Sequence, residues 1–323
     1  MPNTLLKFKG KIAVIFLVIF VTGIILAGCP QRRPEQQVPQ EAPREPKAEP
    51  EITVFMHETG QVETMLLDKY LEGVVAAEMD PDWPEEALAA QAIIARSFTL
   101  KKIQEGGVEA RGTDASTDIE EFQAYNAERV NERVRAAVQK TRGEAAIHNG
   151  QYIKAWFHAD AGGITAMAKE GLDFQEDEPP YIHSVKDPGQ EITVEENKAW
   201  EARFALSQVA AAVQEITGQK PGDIVDAEVV ETGPSGRATL VRVGNVELTA
   251  PRLRLALGND LMRSTLVDKF TVEGNQLVVA GKGYGHGVGM SQWGARAFAE
   301  QGKSAEEIVA YYFKDIVIEK IWE

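Results

Sequence analysis

Cysteine is almost missing from this chain: Cys29 is the one such residue in 323. No disulfide can form within one chain, so stability has to come from a packed core. Histidine is sparse as well. His57, His148, His158, His183 and His286 are scattered, with no HExxH and no cysteine near any of them. His158 with Asp160 and a distant histidine could make a site in principle, although hydrogen bonding is the commoner use of such residues. No metal and no other cofactor is expected. Positive charge is short too: 34 Lys and Arg stand against 49 Asp and Glu, a formal net charge of −15. That balance argues against nucleic acid or an anionic lipid surface as the main partner. Phosphate-binding signatures are also lacking. Six glycines lie between Gly281 and Gly294, yet they contain neither G-x-G-x-x-G nor the Gly-Lys-Ser/Thr of a P-loop. Ser291 has no nucleophile elbow around it, which leaves a Ser-His-Asp triad without its usual support.

Long apolar runs are confined to the N-terminus. Lys7, Lys9 and Lys11 precede a stretch from Ile12 to Ala27 that is apolar apart from Thr22 and Gly23 and ends in Leu26-Ala27-Gly28-Cys29. A basic segment, a short apolar segment and a small-residue cleavage site make a secretory signal over residues 1–28. The apolar part is short for a membrane span, which needs about 20 residues. Its end resembles the lipobox of bacterial lipoproteins, whose cysteine receives a diacylglycerol. The expectation is therefore an extracytoplasmic protein, held to the outer face of the cell membrane through lipidated Cys29; an uncleaved anchor is the other reading. Residues 29–50, rich in Pro, Glu and Gln, cannot bury a core and read as a disordered tether.

From residue 51 onward the pattern is α+β: helices mixed with antiparallel strands, and a β-rich lobe inserted at about 200–268. Ile52–Met56 reads as a strand and Tyr70–Lys102 as two helices around Asp80-Pro81-Asp82-Trp83-Pro84, with Asp82 and Glu85 as a capping box. In the second helix Leu88, Ala92, Ala95 and Phe98 define one packing face, flanked by Gln91 and Arg96. Glu128–Thr141 reads as a helix. Asn149-Gly150 marks a hairpin between strands at 145–148 and 152–157. Trp200–Gly218 reads as an alanine-rich helix, followed by short strands to Leu248, a helical segment at 252–257 and a hairpin across Glu273-Gly274-Asn275. Helices at 295–300 and 304–313 close the domain.

One acid stands apart. Glu78 follows Val74-Val75-Ala76-Ala77 and precedes Met79, just before the proline-tryptophan turn. Held at the mouth of a groove, a carboxyl with such neighbours is partly desolvated, and its pKa rises towards that of a general acid. Periodicity alone leaves open whether Glu78 faces that groove or solvent. The glycine loop presents Tyr284, His286, Ser291, Gln292 and Trp293, a polar and aromatic set suited to a sugar by stacking and hydrogen bonding.

Three ordered blocks resemble the stage II sporulation protein D/LytB (SpoIID) family of bacterial cell-wall proteins. They are Tyr70–Met79 with Trp83-Pro84 and Glu86–Ser97; Phe157-His158 with Gly162–Thr165, Gln123–Tyr125, Pro180-Tyr181 and Val185–Pro188; and Gly283–Ala295. The resemblance implies a peptidoglycan lytic transglycosylase acting on glycan strands stripped of stem peptides, with Glu78 as its catalytic residue. Glu78 would protonate the glycosidic oxygen beyond N-acetylmuramic acid. It would then take the proton of that sugar's own 6-hydroxyl as a 1,6-anhydro ring closes, so no second carboxylate is needed. Substrate contacts would come from Arg96, Gln123, Tyr125, His158, Tyr181, Tyr284, His286, Ser291, Gln292 and Trp293. The resemblance equally admits a non-catalytic glycan-binding partner that enhances a cell-wall amidase. A zinc site with cysteine ligands, reported for relatives, has no cysteine here to form it.

Overall fold

The protein is described by a computed structural model over residues 48–323. The signal segment, most of the tether and Cys29 lie outside the described residues. The described chain is α+β, with both antiparallel and parallel strand pairs. Strand β1 (Glu51–Met56) buries Ile52 and Val54 at alternate positions and forms an antiparallel hairpin with β2 (Gln61–Leu66). Helix α1 (Leu67–Glu78) follows without a linker and ends at Glu78. The turn from Met79 to Pro84 leads into α2 (Glu85–Gln104).

Helix α2 departs from the sequence expectation in two ways. Pro84 holds its N-cap position with no side-chain cap; Asp82 is exposed, and its N–H bonds to Asp80 Oδ1 (3.0 Å). Nor is the helix amphipathic: every residue from Ala87 to Ser97 is buried. It is packed by α1 and by five elements from later in the chain, and its alanines let those neighbours approach closely. Being surrounded puts Gln91 and Arg96 inside the core rather than on a flank.

Strand β3 (Ala115–Ser116) adds to β1 in parallel. The expected helix from Glu128 is broken: a 3-10 turn at Ala127–Arg129 is followed by α3 (Glu132–Lys140), with Asn126 and Asn131 each capping one of them. Strands β4 (Glu144–His148) and β5 (Gln151–Tyr152) pair across Asn149 and Gly150, both at positive φ as a tight hairpin requires. The expected strand to Phe157 stops early, and β6 (Phe157–His158) pairs elsewhere. Short helices α4 (Ala168–Leu172), α5 (Gly189–Ile192) and α6 (Glu195–Lys198) follow.

Residues between Trp200 and Val279 build a second hydrophobic core of their own, around Phe204, Val213, Val241, Leu253 and Leu277. Here Trp200–Ala205 is a strand, β7, not the start of a helix. Its Trp200 and Phe204 are buried while Glu201, Arg203 and Ala205 point less inward, and it pairs with a later strand. Cross-strand pairing overrides the helix propensity of its alanines. Helix α7 (Leu206–Thr217) comes next, then the sheet β8 (Ala227–Thr232), β9 (Ala238–Val243) and β10 (Val246–Thr249), then α8 (Ala250–Leu257). The hairpin β11 (Val267–Glu273) and β12 (Gln276–Gly281) completes this part, with β12 joined to β7.

The glycine loop returns the chain to the first core. Strand β13 (Met290–Ser291) pairs in parallel with β6. Helix α9 (Gln292–Glu300) begins three residues earlier than expected because Ser291 caps it, its Oγ accepting the Gly294 N–H (3.1 Å). Helix α10 (Ala305–Tyr312) and β14 (Val317–Lys320), which pairs with β4, end the fold.

Candidate functional site

Glu78 is the last residue of α1, and two segments remote in sequence converge on its carboxylate. Oε1 accepts the backbone N–H of Ala124 (3.0 Å), and Oε2 accepts the side-chain amide of Gln292 (3.2 Å). Each contact has a local cause. The Gln123–Tyr125 segment is laid across α1 at Gly73: the Asn126 N–H bonds to the Gly73 carbonyl (2.9 Å), and Tyr125 stacks on Tyr70 with ring centroids 5.7 Å apart. A Cβ at Gly73 would lie 2.2 Å from the Tyr125 ring, so the close approach depends on glycine. Gln292 is aimed by the Ser291 cap, which places it in the first turn of α9.

Burial pushes the Glu78 carboxyl up from 4.5 to about 7, while the bonds from Ala124 and Gln292 pull the other way. Both donors favour the charged form, and desolvation outweighs them. The side chain is half-buried, so one side stays open to solvent. A carboxyl that titrates near neutrality and is reachable from outside can donate a proton and take one back.

The segments that carry Glu78 and Gln292 also bring an aromatic pair together. Trp293 adjoins Gln292, Trp83 lies in the turn after Glu78, and their ring centroids are 4.7 Å apart at 58°. The Arg296 guanidinium sits 5.2 Å from one ring and 5.1 Å from the other. All three side chains are half-buried.

The remaining residues expected at the site divide by environment. Arg96 is wholly buried; it bonds to Asp68 Oδ1 (2.8 Å from Nε, 2.7 Å from Nη2) and to the Glu144 carbonyl, joining α2 to α1 and β4. Gln123 is buried against Thr99 Oγ1 (2.9 Å), so this segment reaches Glu78 through the Ala124 amide rather than through the Gln123 side chain. Tyr181 is buried, its hydroxyl accepting the Lys154 N–H (2.8 Å). Ser291 is buried in its capping role and donates to Asp187 (3.2 Å). All four side chains are buried in this structure.

His158, His286 and Tyr284 form a separate group. The His158 Nδ1–H donates to the Val288 carbonyl (3.1 Å), His286 Nδ1 accepts the Val288 N–H (3.0 Å), and the rings are 5.6 Å apart. Burial pushes both imidazoles down, His286 to about 3 with Arg254 and Arg237 adding to the effect, so both are neutral. The Tyr284 hydroxyl donates to Asp260 (2.5 Å) beneath the Arg263 guanidinium. Among the described residues no three His, Cys, Asp or Glu side chains gather as a metal site.

Three contributors lie in the blocks quoted from the sequence but carried no role there: the Ala124 amide, Trp83 and Asp187. Nothing in a sequence marks a backbone donor. Trp83 was visible as a turn residue without a role. Asp187 is buried and accepts from Tyr312 Oη (2.6 Å), Ser291 Oγ and the Gly189 N–H (3.0 Å); burial raises it to about 6. It braces the start of α9 and so the aim of Gln292.

A family model described as Stage II sporulation protein matches residues 56–148, which include Glu78 and Ala124. A domain of unknown function (DUF8618) matches residues 152–289. An uncharacterized protein of Brachyspira hyodysenteriae is 31% identical over 263 residues, 80% of this chain and 67% of the relative. Stage II sporulation protein D of Bacillus subtilis is 29% identical over 81% of this chain and 77% of its own length. The Amidase enhancer of Bacillus subtilis is 26% identical over 75% of this chain, but over only 39% of its own length. Among the described residues no helix is long and apolar enough to cross a membrane. This chain belongs to the SpoIID-like family, which is associated with remodelling of the bacterial cell wall.

Proposed function

We propose that the protein binds peptidoglycan glycan strands and cleaves them as a lytic transglycosylase, with Glu78 as the acid and then the base. The observation that supports this is the Glu78 carboxyl, raised to about 7 yet open to solvent on one side. In the protonated form it gives its proton to the glycosidic oxygen as the bond from C1 of N-acetylmuramic acid breaks. As carboxylate, with its oxygens placed by Ala124 and Gln292, it takes the proton of the sugar's 6-hydroxyl while that oxygen bonds to C1. The carboxyl ends protonated, as it began, and no water is consumed.

The similarity to an Amidase enhancer favours a second reading, and taken alone the comparisons lean towards it. On that reading the same groove binds glycan without cutting it, and the protein stimulates a cell-wall amidase. Purified protein incubated with peptide-free glycan separates the two. Cleavage predicts products ending in 1,6-anhydro-N-acetylmuramic acid, one water lighter than hydrolytic ends, and loss of about 10²–10⁴-fold on Glu78→Gln. Binding with no cleavage, together with faster amidase turnover, would establish the second reading. Attachment to the membrane through lipidated Cys29 is part of the proposal; Cys29→Ser should move the protein out of the membrane fraction.

A further inference from the structure

Trp83 packs partly against the main core, yet it and Trp293 both keep part of their rings exposed. The pair is held from three sides. The Trp83 N–H bonds to the Asp80 carbonyl (3.0 Å), and Arg133 Nη1 donates to the carbonyls of Asp82 and Trp83 (2.5 and 3.3 Å). The Trp293 N–H bonds to the Ala159 carbonyl (3.0 Å). Arg296 lies against both rings, and its Nε is bonded to Glu300 (2.8 Å). The main chain under both tryptophans is therefore tied down, and Arg296 lies against both rings before any ligand arrives. Beside Trp83 an open hollow of about 570 Å³ is lined by Asp82, Glu85, Asn131, Glu132 and Arg133, five polar side chains with both donors and acceptors.

A rigid aromatic face next to a polar hollow is the chemistry that recognises a pyranose: C–H groups stack on the ring while hydroxyls and acetamido groups are hydrogen-bonded. We propose that Trp83 and Trp293 form a stacking wall for one sugar ring adjoining Glu78, that Arg296 sets the angle of the wall, and that the hollow beside Trp83 receives the next sugar of the chain. This deepens the glycan reading above and rests on it. Trp83 and Trp293 are binding and positioning residues; the proton transfer stays with Glu78.

The test uses the Glu78→Gln protein, so that binding is read without turnover, and titrates it with N-acetylglucosamine oligomers and with peptide-free glycan while following tryptophan emission. Two other tryptophans, Trp200 and Trp322, are buried, and Trp156 is half-buried, so a ligand-dependent change has few sources. The change should vanish when Trp83→Phe and Trp293→Phe are combined, and Trp83→Ala should weaken binding about tenfold. In a cleaving protein Trp83→Phe should raise KM more than it lowers kcat, whereas loss of Glu78 acts on kcat. Should Trp83→Ala fail to fold, the paired phenylalanine variant still decides. Glycan binding with emission changes intact in that variant would overturn the wall and leave the glycan reading standing. No glycan binding by the parent protein would overturn both.

Discussion

Replacing the candidate catalytic acid should stabilise the protein, and only at high pH. Glu78 has its pKa raised from 4.5 to about 7, chiefly by burial. Below pH 4.5 the carboxyl is neutral in both folded and unfolded chains and costs nothing. Between 4.5 and about 7 the folded state holds the proton more tightly, so stability falls as pH rises across that window and stays lower above it. At 1.36 kcal/mol per pH unit the upper bound is about 3 kcal/mol. Solvent access to the half-buried side chain trims this to about 1–2 kcal/mol. Glu78→Gln removes the ionisation and keeps the shape; one amide oxygen still accepts from Ala124, and Gln292 turns its own oxygen towards the new NH₂ group. For a chain of this size the variant should melt about 2–6 °C higher than the parent at pH 8 and within about 1 °C of it at pH 4.5. Differential scanning calorimetry across pH 4.5–8 measures it. A variant destabilised equally at both ends would mean that the carboxylate is a structural anchor and not a desolvated acid.

Other consequences are as specific. If the protein cleaves glycan, the rate should decline as pH rises through about 7, because the protonated acid is consumed; Gln292→Leu removes a donor to the carboxylate, so that decline should move to higher pH in an activity–pH profile. Gly73→Ala drives a methyl into Tyr125 and should lose about 1–3 kcal/mol in urea denaturation, with the Ala124 amide displaced from Glu78 and activity falling with it. Arg96→Leu takes the buried guanidinium from Asp68 and leaves that carboxylate with only the Trp322 indole N–H (3.3 Å) and Arg142 at 3.6 Å, so a loss of about 2–4 kcal/mol in the same assay is expected, more than for a ligand-contact residue on the surface.

Local chemistry was legible where it is settled by neighbours in the chain. The Asn149-Gly150 turn and the strand at Ile52–Met56 behave as their residues dictate, because φ preference and alternation act over a few positions. Glu78 could be singled out from its apolar run and its turn, but whether it faced inside or outside could not, because a 3.6-residue period does not say which other segments arrive. That was decided by Ala124 and Gln292, 46 and 214 residues away, and by the laying of Tyr125 onto Gly73. The same limit explains the misplacement of Arg96. A helix surrounded on all sides has no polar flank, and nothing in the spacing of Leu88, Ala92 and Ala95 reveals how many partners surround it. Trp200–Ala205 read as helix from its alanines until β12 supplied a strand to pair with. The sequence by itself determined the acidic character of the chain, its lack of disulfides, the α+β pattern and the candidate acid. Tertiary structure alone decided which donors grip that acid and which tryptophans come together. Desolvation and hydrogen-bond placement depend on what is near in space, and a sequence states only what is near along the chain.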